Sequence, residues 1–356
     1  MKLGIIGAGE LAQQLATAGT ALGIETHCVA RDKSDCAGKA AILHVLHDDN
    51  PEALKAFAKT VDVITFTHKN IPLTMIETLS HYKPLFPSLN ALSLTEDTFY
   101  EKTALNELGV PTPRFAAVNT KTAALEAFHT FGCQAVLKTR RHGEQVMVQD
   151  ESGVDRAWNA LNHATLLLEE YIKPDHNITL IAVRNGRGDR VFYPLIENTY
   201  KNGVLLTSAV PFAHPELAED AQLYARALMD HWNYVGVMAI DFIVSQHRLY
   251  ATHVSPRVHP AGCWTIEGAA TSQFENHLRA VFNLRLGPTD VALPCMQHML
   301  IGMLPSASEL RTIPNAHVHD YGKTPRADRR MGHITVITQA EDLAQAAQRD
   351  PCCAMG

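Results

Sequence analysis

The chain has 356 residues, of which 46% are hydrophobic and 19% are charged, and its formal net charge is -6. This length is sufficient for two or three domains with hydrophobic cores. The negative balance does not favour a nucleic-acid partner, and the sequence has no apolar run of the length that predicts a membrane span.

The seven cysteines include no CxxC pair. An odd number of cysteines without such a pair argues against a disulfide framework or a thiolate zinc site, and it predicts a reducing compartment. The first residues lack the basic stretch and long apolar core of a secretory signal. We therefore expect a cytoplasmic protein.

The first part of the chain alternates apolar runs with helical stretches. Residues 2–6, 25–30 and 62–66 are predicted strands, and a helical segment extends from the glycine turn at 7–9 to about residue 22. Strands that alternate with helices predict a parallel sheet wound by helices. We expect this first domain to end near residue 98.

The turn Gly7-Ala8-Gly9 opens a G-x-G-x-x-G/A pattern after the first strand. Glycines in such a turn let the backbone approach a phosphate at the N-terminus of a helix. A dinucleotide site would also need an acid at the end of the second strand, where Arg31 falls, and Glu10 would repel a pyrophosphate. The turn is therefore either an anion site or a tight turn with a structural role, and a dehydrogenase is the weakest hypothesis.

The central part of the chain is rich in predicted strands. These are residues 134–138, 145–149, 166–170, 178–183, 191–195, 236–244 and 248–254. A tight basic turn joins the first two, and helices are predicted at 96–108, 121–130, 215–231 and 270–282. The pattern predicts an α+β domain over residues 99–290, followed by a small strand-containing domain over 291–356 that includes a strand at 333–337.

A group of polar side chains follows the predicted strand at 248–254. Arg257 and His259 come directly after it, and the next helix carries Gln273, Glu275, His277 and Arg279. Such a group first suggests anion handling. Glu275 and Arg279 are four residues apart, which predicts a helical ion pair, and we interpret the polar residues of the helix as structural support.

Several motifs carry a family resemblance over nearly the whole chain. They are the opening G-x-G turn, V-L-K-T-R-R at 136–141, E-E-Y-I at 169–172, S-P-R-V-H at 255–259, T-S-Q-F-E-N-H-L-R-A at 271–280 and the basic segment from Tyr321 to His333. On these motifs the sequence resembles the ATP-grasp family of 5-(carboxyamino)imidazole ribonucleotide synthases, known also as the ATPase subunit of phosphoribosylaminoimidazole carboxylase.

The resemblance implies a mixed α/β and α+β protein of three domains. They would be a Rossmann-like pre-ATP-grasp domain (1–98), an ATP-grasp domain (99–290) and a small β-rich C-terminal domain that completes a ribotide site (291–356). It also implies a ligase of de novo purine biosynthesis that uses ATP and Mg²⁺ to activate bicarbonate as carboxyphosphate. The amine of 5-aminoimidazole ribonucleotide would then be carboxylated, and the family resemblance predicts a homodimer.

The same resemblance implies roles for individual residues. Arg257 would bind bicarbonate or carboxyphosphate, because its planar fork of donors suits a flat oxyanion. The residues implied for the other ligands are Lys102 and Lys138 for the ATP phosphates, Glu169, Glu170, Tyr171 and Ile172 for the nucleotide hinge, Lys323, Arg329 and Arg330 for the ribotide phosphate, and Asp241 and His253 for the metal.

The sequence departs from the family pattern mainly on the nucleotide side. The family's phosphate-covering loop is reduced to His142-Gly143-Glu144-Gln145, and His253 stands where the pattern has a second metal carboxylate. Nitrogen is a weak ligand for the hard Mg²⁺ ion.

Three hypotheses therefore stay open. The protein is a working carboxylase, or a catalytically degenerate homologue that binds a ribotide or another phosphate ligand with weak or absent ligase activity, or a related ligase with a changed acceptor.

Overall fold

The computed structural model describes residues 1–46, 50–141, 143–161, 165–201 and 203–338. The chain forms two compact units. The first contains residues 1–92, 178–239 and 255–356, and the second contains residues 93–177 and 240–254. Among the described residues, no helix combines the length and the apolar character needed to cross a membrane.

The strands, in chain order, are β1 (Lys2–Ile6), β2 (Glu25–Ala30), β3 (Ile42–Val45), β4 (Val63–Phe66), β5 (Phe115–Val118), β6 (Ala135–Thr139), β7 (Gln145–Val148), β8 (Leu166–Glu170), β9 (His176–Arg184), β10 (Arg190–Phe192), β11 (Ile196–Lys201), β12 (Val204–Val210), β13 (Gly236–Ser245), β14 (Arg248–Ser255), β15 (Cys295–Ile301), β16 (Ala316–Asp320) and β17 (Arg330–Ile337).

The α-helices are α1 (Glu10–Ala21), α2 (Pro51–Ala58), α3 (Leu73–Ser80), α4 (Leu89–Glu96), α5 (Thr98–Glu107), α6 (Lys121–Phe131), α7 (Glu151–Leu161), α8 (Pro215–His231), α9 (Thr265–Gly268), α10 (Gln273–Val281) and α11 (Ala307–Leu310).

The first unit opens with the predicted parallel sheet, in the strand order β3-β2-β1-β4. Gly7 sits between β1 and α1 with a φ of 108°, a conformation that L side chains rarely adopt. A Cβ at this position would lie 2.8 Å from Thr67 Oγ1 and equally close to the ring of His68. The glycine turn is therefore required by close packing against the residues that follow β4.

The first unit also contains an antiparallel sheet in the order β9-β11-β12-β15-β17-β16, with β10 paired to β9. One cluster of buried apolar side chains connects the two sheets through α1 and α10, with Leu11 and Leu15 from the former and Phe274 and Leu278 from the latter. This shared core fixes the glycine turn relative to the segment that carries Arg257.

The second unit is built on the antiparallel sheet β5-β8-β6-β7. Helices α6 and α7 cover it and share its core, which includes Leu137, Val154 and Leu168. The chain returns to this unit in the β13–β14 hairpin. Helix α5 begins after Asp97, whose carboxylate accepts a hydrogen bond from the Phe99 amide at 2.9 Å.

The predicted fold class is confirmed, and the differences lie in particular elements. The strand predicted at 191–195 ends at Phe192, because Pro194 has no N–H to continue the ladder. The helix predicted at 270–282 begins only at Gln273, since the Ser272 hydroxyl caps it by accepting from the Glu275 amide. Strands β3, β5, β11 and β12 were not predicted, and β15 and β16 lie in the C-terminal part, where strands were predicted without bounds.

Candidate functional site

The glycine turn lines a cleft of about 200 Å³ in the first unit. Gly7, Gly9, Arg31, His68 and Asn70 are among the residues around it. They follow the carboxyl ends of β1, β2 and β4. Open α/β sheets bind ligands at this edge, where the strand ends diverge. We refer to this pocket as the glycine-turn cleft.

The electrostatics of the cleft favour an anion. Burial lowers the pKa of His68, and the positive charges of Arg257 and Arg31 lower it further. His68 is therefore a neutral imidazole beside two permanent cations at neutral pH. The cleft combines backbone amides of a glycine turn with the Arg31 guanidinium, and Asp35 also lines it. Arg257 adds a second positive charge that acts on His68, so the positive charges outnumber the Asp35 carboxylate and suit a phosphate or carboxylate ligand.

The loop that carries Arg257 is held by α10. The Gln273 side chain accepts a hydrogen bond from the His259 amide at 2.9 Å and donates one to the His259 carbonyl at 2.7 Å. Glu275 and Arg279 form the predicted ion pair, at 2.7 Å between Oε1 and Nη2. The predicted ion pair is confirmed, and these contacts support the interpretation of the residues as structural support.

His277 has a structural role at the same helix. Its Nε2 lies 2.8 Å from Thr65 Oγ1, and its Nδ1 accepts a hydrogen bond from the Val237 amide. Complete burial lowers the pKa of His277 to about 3. The imidazole is thus neutral and connects α10 to β4 and β13.

The basic segment at 323–330 converges on Glu10, the first residue of α1. Lys323 Nζ lies 2.6 Å from Glu10 Oε2, and Arg330 Nη1 lies 3.8 Å from Glu10 Oε1. Burial alone would raise the pKa of Glu10, but its attraction and hydrogen bond to Lys323, with a contribution from Arg330, hold that pKa below its usual value. We refer to Glu10, Lys323 and Arg330 as the Glu10 cluster.

The third predicted phosphate residue, Arg329, donates to the Thr324 carbonyl at 3.1 Å. The segment is anchored by Tyr321, which is buried and lies with its hydroxyl 2.8 Å from His333 Nδ1. Lys323 is 5.4 Å from the centre of the Tyr321 ring. The structure therefore brings Lys323 and Arg330 together on a rigid support.

In the second unit, the two predicted ATP lysines share one carboxylate. Glu169 Oε2 lies 3.0 Å from Lys102 Nζ and 2.9 Å from Lys138 Nζ. Lys102 is fully buried, which lowers its pKa, and the charge of Lys138 acts in the same direction while Glu169 opposes it. The charge of the buried Glu101 carboxylate also acts on Lys102 and raises its pKa, as that of Glu169 does.

The other hinge residues have different surroundings. Successive side chains of β8 point to opposite faces, so Glu170 turns away from the lysines and pairs with Arg114 at 2.8 Å. That pair holds the pKa of Glu170 below its usual value. Tyr171 donates its backbone N–H to the Gln134 carbonyl at 2.9 Å, and Ile172 is half-buried.

The turn between β6 and β7 is short, as predicted. Thr139 and Glu144 close it with a hydrogen bond of 2.9 Å between the Thr139 amide and the Glu144 carbonyl. Arg140 pairs with Asp97 at 2.8 Å, so an acid of the same unit neutralises part of the basic turn. His142 lies outside the described residues.

The two predicted metal ligands lie on β13 and β14. The Thr252 hydroxyl donates a hydrogen bond to the backbone carbonyl of Asp241, at 3.0 Å. His253 Nδ1 lies 2.9 Å from Oε1 of Glu101, whose buried carboxylate also accepts from the Val254 amide. The Glu101 contact was not predicted, because no local pattern connects residues 101 and 253.

The donor set does not fit Mg²⁺ well. Magnesium prefers an octahedron of oxygen ligands, whereas Asp241 and His253 provide one carboxylate and one imidazole. Glu101, the nearby carboxylate, is occupied by His253 and Val254. Over the described parts of the chain, no group of three or more His, Cys, Asp or Glu is arranged to hold a metal ion.

Similarity to a protein of Pseudomonas aeruginosa shows to which family this chain belongs. The chain is 36% identical over 343 residues to its N5-carboxyaminoimidazole ribonucleotide synthase, and the alignment covers 94% of each chain. This chain belongs to the N5-carboxyaminoimidazole ribonucleotide synthase family. The resemblance noted from the motifs is thereby confirmed.

Domain families agree with membership in the N5-carboxyaminoimidazole ribonucleotide synthase family. The ribonucleotide synthetase preATP-grasp domain matches residues 1–96, the ATP-grasp domain matches 103–274, and the phosphoribosylaminoimidazole carboxylase C-terminal domain matches 296–349. The protein is therefore an ATP-grasp ligase by family.

Solved structures of N5-carboxyaminoimidazole ribonucleotide synthetases share the fold. The Thermus thermophilus protein superposes with a TM-score of 0.92 at 38% identity, covering 97% of this chain and 98% of its own. The Staphylococcus aureus protein, complexed with ADP, gives a TM-score of 0.91 at 26% identity and covers 98% and 95% of the two chains.

Proposed function

We propose that this protein uses ATP and bicarbonate to carboxylate the amine of 5-aminoimidazole ribonucleotide, a step of de novo purine biosynthesis. The observation that carries the proposal is the joint placement, in the first unit, of Arg257 beside the anion-favouring cleft and of Lys323 with Arg330 on one rigid segment. The full-length similarity to relatives of that name supports the same activity.

The ribotide is proposed to bind in the first unit. Lys323, Arg330 and Arg329 supply cationic donors for its phosphate, since charge-assisted hydrogen bonds to phosphate are the strong ones. Arg257 offers a planar pair of donors to bicarbonate and to the carboxyphosphate formed from it. A preformed cation at that point stabilises the charge that develops as the acyl phosphate forms and reacts.

ATP is proposed to bind in the second unit. Lys102 and Lys138 would contact its phosphates, and Glu169 holds the two ammonium groups at a fixed spacing before the nucleotide arrives. Backbone groups of Glu169, Glu170, Tyr171 and Ile172 would hold the adenine. The solved complex of the Staphylococcus aureus relative with ADP supports nucleotide binding in this fold.

Magnesium is the weakest part of the proposal. Asp241 supplies an oxygen that suits the ion, but the imidazole of His253 does not, so no step proposed for this chain depends on a protein-bound metal. The family resemblance still predicts Mg²⁺ as the partner of ATP.

The test is ADP release from ATP in the presence of bicarbonate and 5-aminoimidazole ribonucleotide, with Arg257→Met as the matched variant. We expect release that requires both substrates and is about 10²–10³ slower in the variant. ADP release that is independent of the ribotide, or insensitive to Arg257→Met, would contradict the assignment.

A second candidate is a catalytically degenerate homologue that binds a ribotide or another phosphate ligand. The pairing of His253 with Glu101 and the short turn between β6 and β7 favour it, because both reduce the groups available to a metal-bound triphosphate. The same assay separates the candidates: background ADP release together with retained ribotide binding would favour the degenerate homologue. ADP release with another amine would indicate a changed acceptor.

We further propose domain limits of 1–98, 99–290 and 291–356, a cytoplasmic location and a homodimer. The substrates are small molecules, and the homodimer rests on resemblance to the family alone. Gel filtration with light scattering tests the oligomeric state directly.

A further inference from the structure

Glu10 contacts cations that the proposed function assigns to the ribotide phosphate. Its carboxylate lies 2.6 Å from Lys323 Nζ and 3.8 Å from Arg330 Nη1, which are two of the three cations assigned to the ribotide phosphate. The carboxylate is therefore an internal anion on the predicted phosphate donors.

Two cations of the C-terminal segment, Lys323 and Arg330, act on Glu10. Glu10 is also the first residue of α1, and the N-terminus of a helix is favourable to anions. The Glu10 carboxylate is therefore held by two cations and by its position at a helix N-terminus.

A phosphate and the Glu10 carboxylate cannot both have the best contacts to Lys323. The ammonium group has three N–H donors, and the salt bridge to Glu10 already directs one of them. A phosphate dianion placed beside this carboxylate would also be repelled by it, and the partial burial of the pair strengthens that repulsion. The contacts that Lys323 and Arg330 make to Glu10 therefore compete with those that they would make to a phosphate.

We propose that Glu10 is a specificity-determining residue that competes with the ribotide phosphate for Lys323 and Arg330, and so sets the affinity of the site. This inference rests on the proposed function only for the identity of the ligand. Any phosphate monoester bound by Lys323 meets the same competitor. The contact keeps the cationic segment neutralised until a ligand with further contacts in the glycine-turn cleft displaces it.

The test is titration calorimetry of the full chain with ribose 5-phosphate as the probe, followed by 5-aminoimidazole ribonucleotide. Glu10→Gln keeps the shape of the side chain and removes its charge. We expect it to bind ribose 5-phosphate on the order of tenfold more tightly than the wild type, because one like charge is removed from a partly buried site. The Michaelis constant for the ribotide should fall in parallel without a rise in kcat.

Two further variants locate the effect. Lys323→Gln should abolish the response to the probe, and Glu10→Gln combined with Lys323→Gln should bind no more tightly than Lys323→Gln alone. Glu275→Gln is the matched control. Like Glu10→Gln, it removes a carboxylate that lies in the first turn of a helix and pairs with a basic residue. It should leave the affinity for ribose 5-phosphate unchanged.

Equal or weaker binding of ribose 5-phosphate by Glu10→Gln overturns the inference, as does an equal gain in Glu275→Gln. The probe reports on the phosphate donors without turnover. A tenfold gain for ribose 5-phosphate in a protein that releases no ADP would therefore support the role of Glu10 while contradicting the proposed ligase.

Discussion

Glu169, whose carboxylate pairs with both Lys102 and Lys138, allows a direct test of how these two lysines are held. In Glu169→Gln, Lys102 would remain fully buried without the carboxylate that lies 3.0 Å from its ammonium group. Removing one partner of a buried ion pair costs about 3–5 kcal/mol, because it leaves an uncompensated buried charge. That cost corresponds to a roughly 200- to 5,000-fold larger population of the opened state.

The assay is native-state hydrogen exchange with mass spectrometry on peptides from β6 and β8, which pair with each other and carry Lys138 and Glu169. Exchange of their slowest amides should accelerate by the same factor if exchange follows opening of the second unit. Glu170→Gln is the adjacent control. Its pair with Arg114 is half exposed and is worth about 0–1 kcal/mol, so exchange should change by less than about fivefold.

A second substitution tests the mechanism of the effect. Lys102→Met in the Glu169→Gln background removes the buried charge that has lost its partner. It should restore most of the protection against hydrogen exchange, because a buried site of this kind tolerates an apolar side chain of similar length. Exchange in Glu169→Gln within fivefold of the wild type, or no recovery in the double variant, would refute the reasoning.

Three further predictions concern the chemistry and the pH response. Arg257→Met should lower kcat by about 10²–10³ while the protein still binds ribose 5-phosphate, because one stabilising charge is lost from the transition state; a change below tenfold would contradict this role. His253→Glu should tighten binding of Mg²⁺ in calorimetric titrations with a nonhydrolysable ATP analogue, since it adds an oxygen ligand; unchanged affinity would show that residue 253 does not face the cation. The buried His277 should make the fold acid-sensitive, because its pKa of about 3 in the folded protein lies below the ordinary histidine pKa of about 6.5. The unfolded chain therefore takes up a proton first, and the free energy of unfolding should fall as pH decreases from about 6.5 towards 3. Urea midpoints measured across that pH range test this prediction. In His277→Asn, the number of protons taken up on unfolding should fall by up to one, so the free energy of unfolding should depend less steeply on pH.

Local signals in the sequence were sufficient for much of the fold. The glycine turn after β1 has a direct physical role at the expected place, and the helix predicted at 96–108 forms as α5 with Asp97 as its cap. The bounds of strand β15 were missed because Gln297 and His298 interrupt an apolar run. In the structure Gln297 is buried and satisfied, since it accepts from the Trp264 amide and donates to the Pro260 carbonyl. The sequence does not show such partners, so buried polar residues in a strand resemble the polar residues of a loop.

The candidate site shows the corresponding limit. The motif at 321–333 predicted that Lys323 and Arg330 act together, but not that Glu10 is their partner, 313 positions away from Lys323. The contact between Glu101 and His253 joins residues 152 positions apart. Such pairs are set by tertiary packing, so a single sequence gives the residue types without their partners.

The most direct test of the proposed function follows labelled bicarbonate in a reaction with ATP and 5-aminoimidazole ribonucleotide. The account predicts one ADP released for each labelled carboxylate transferred to the ribotide amine, and neither product when any substrate is omitted. Ribotide binding without ADP release or label transfer would contradict it.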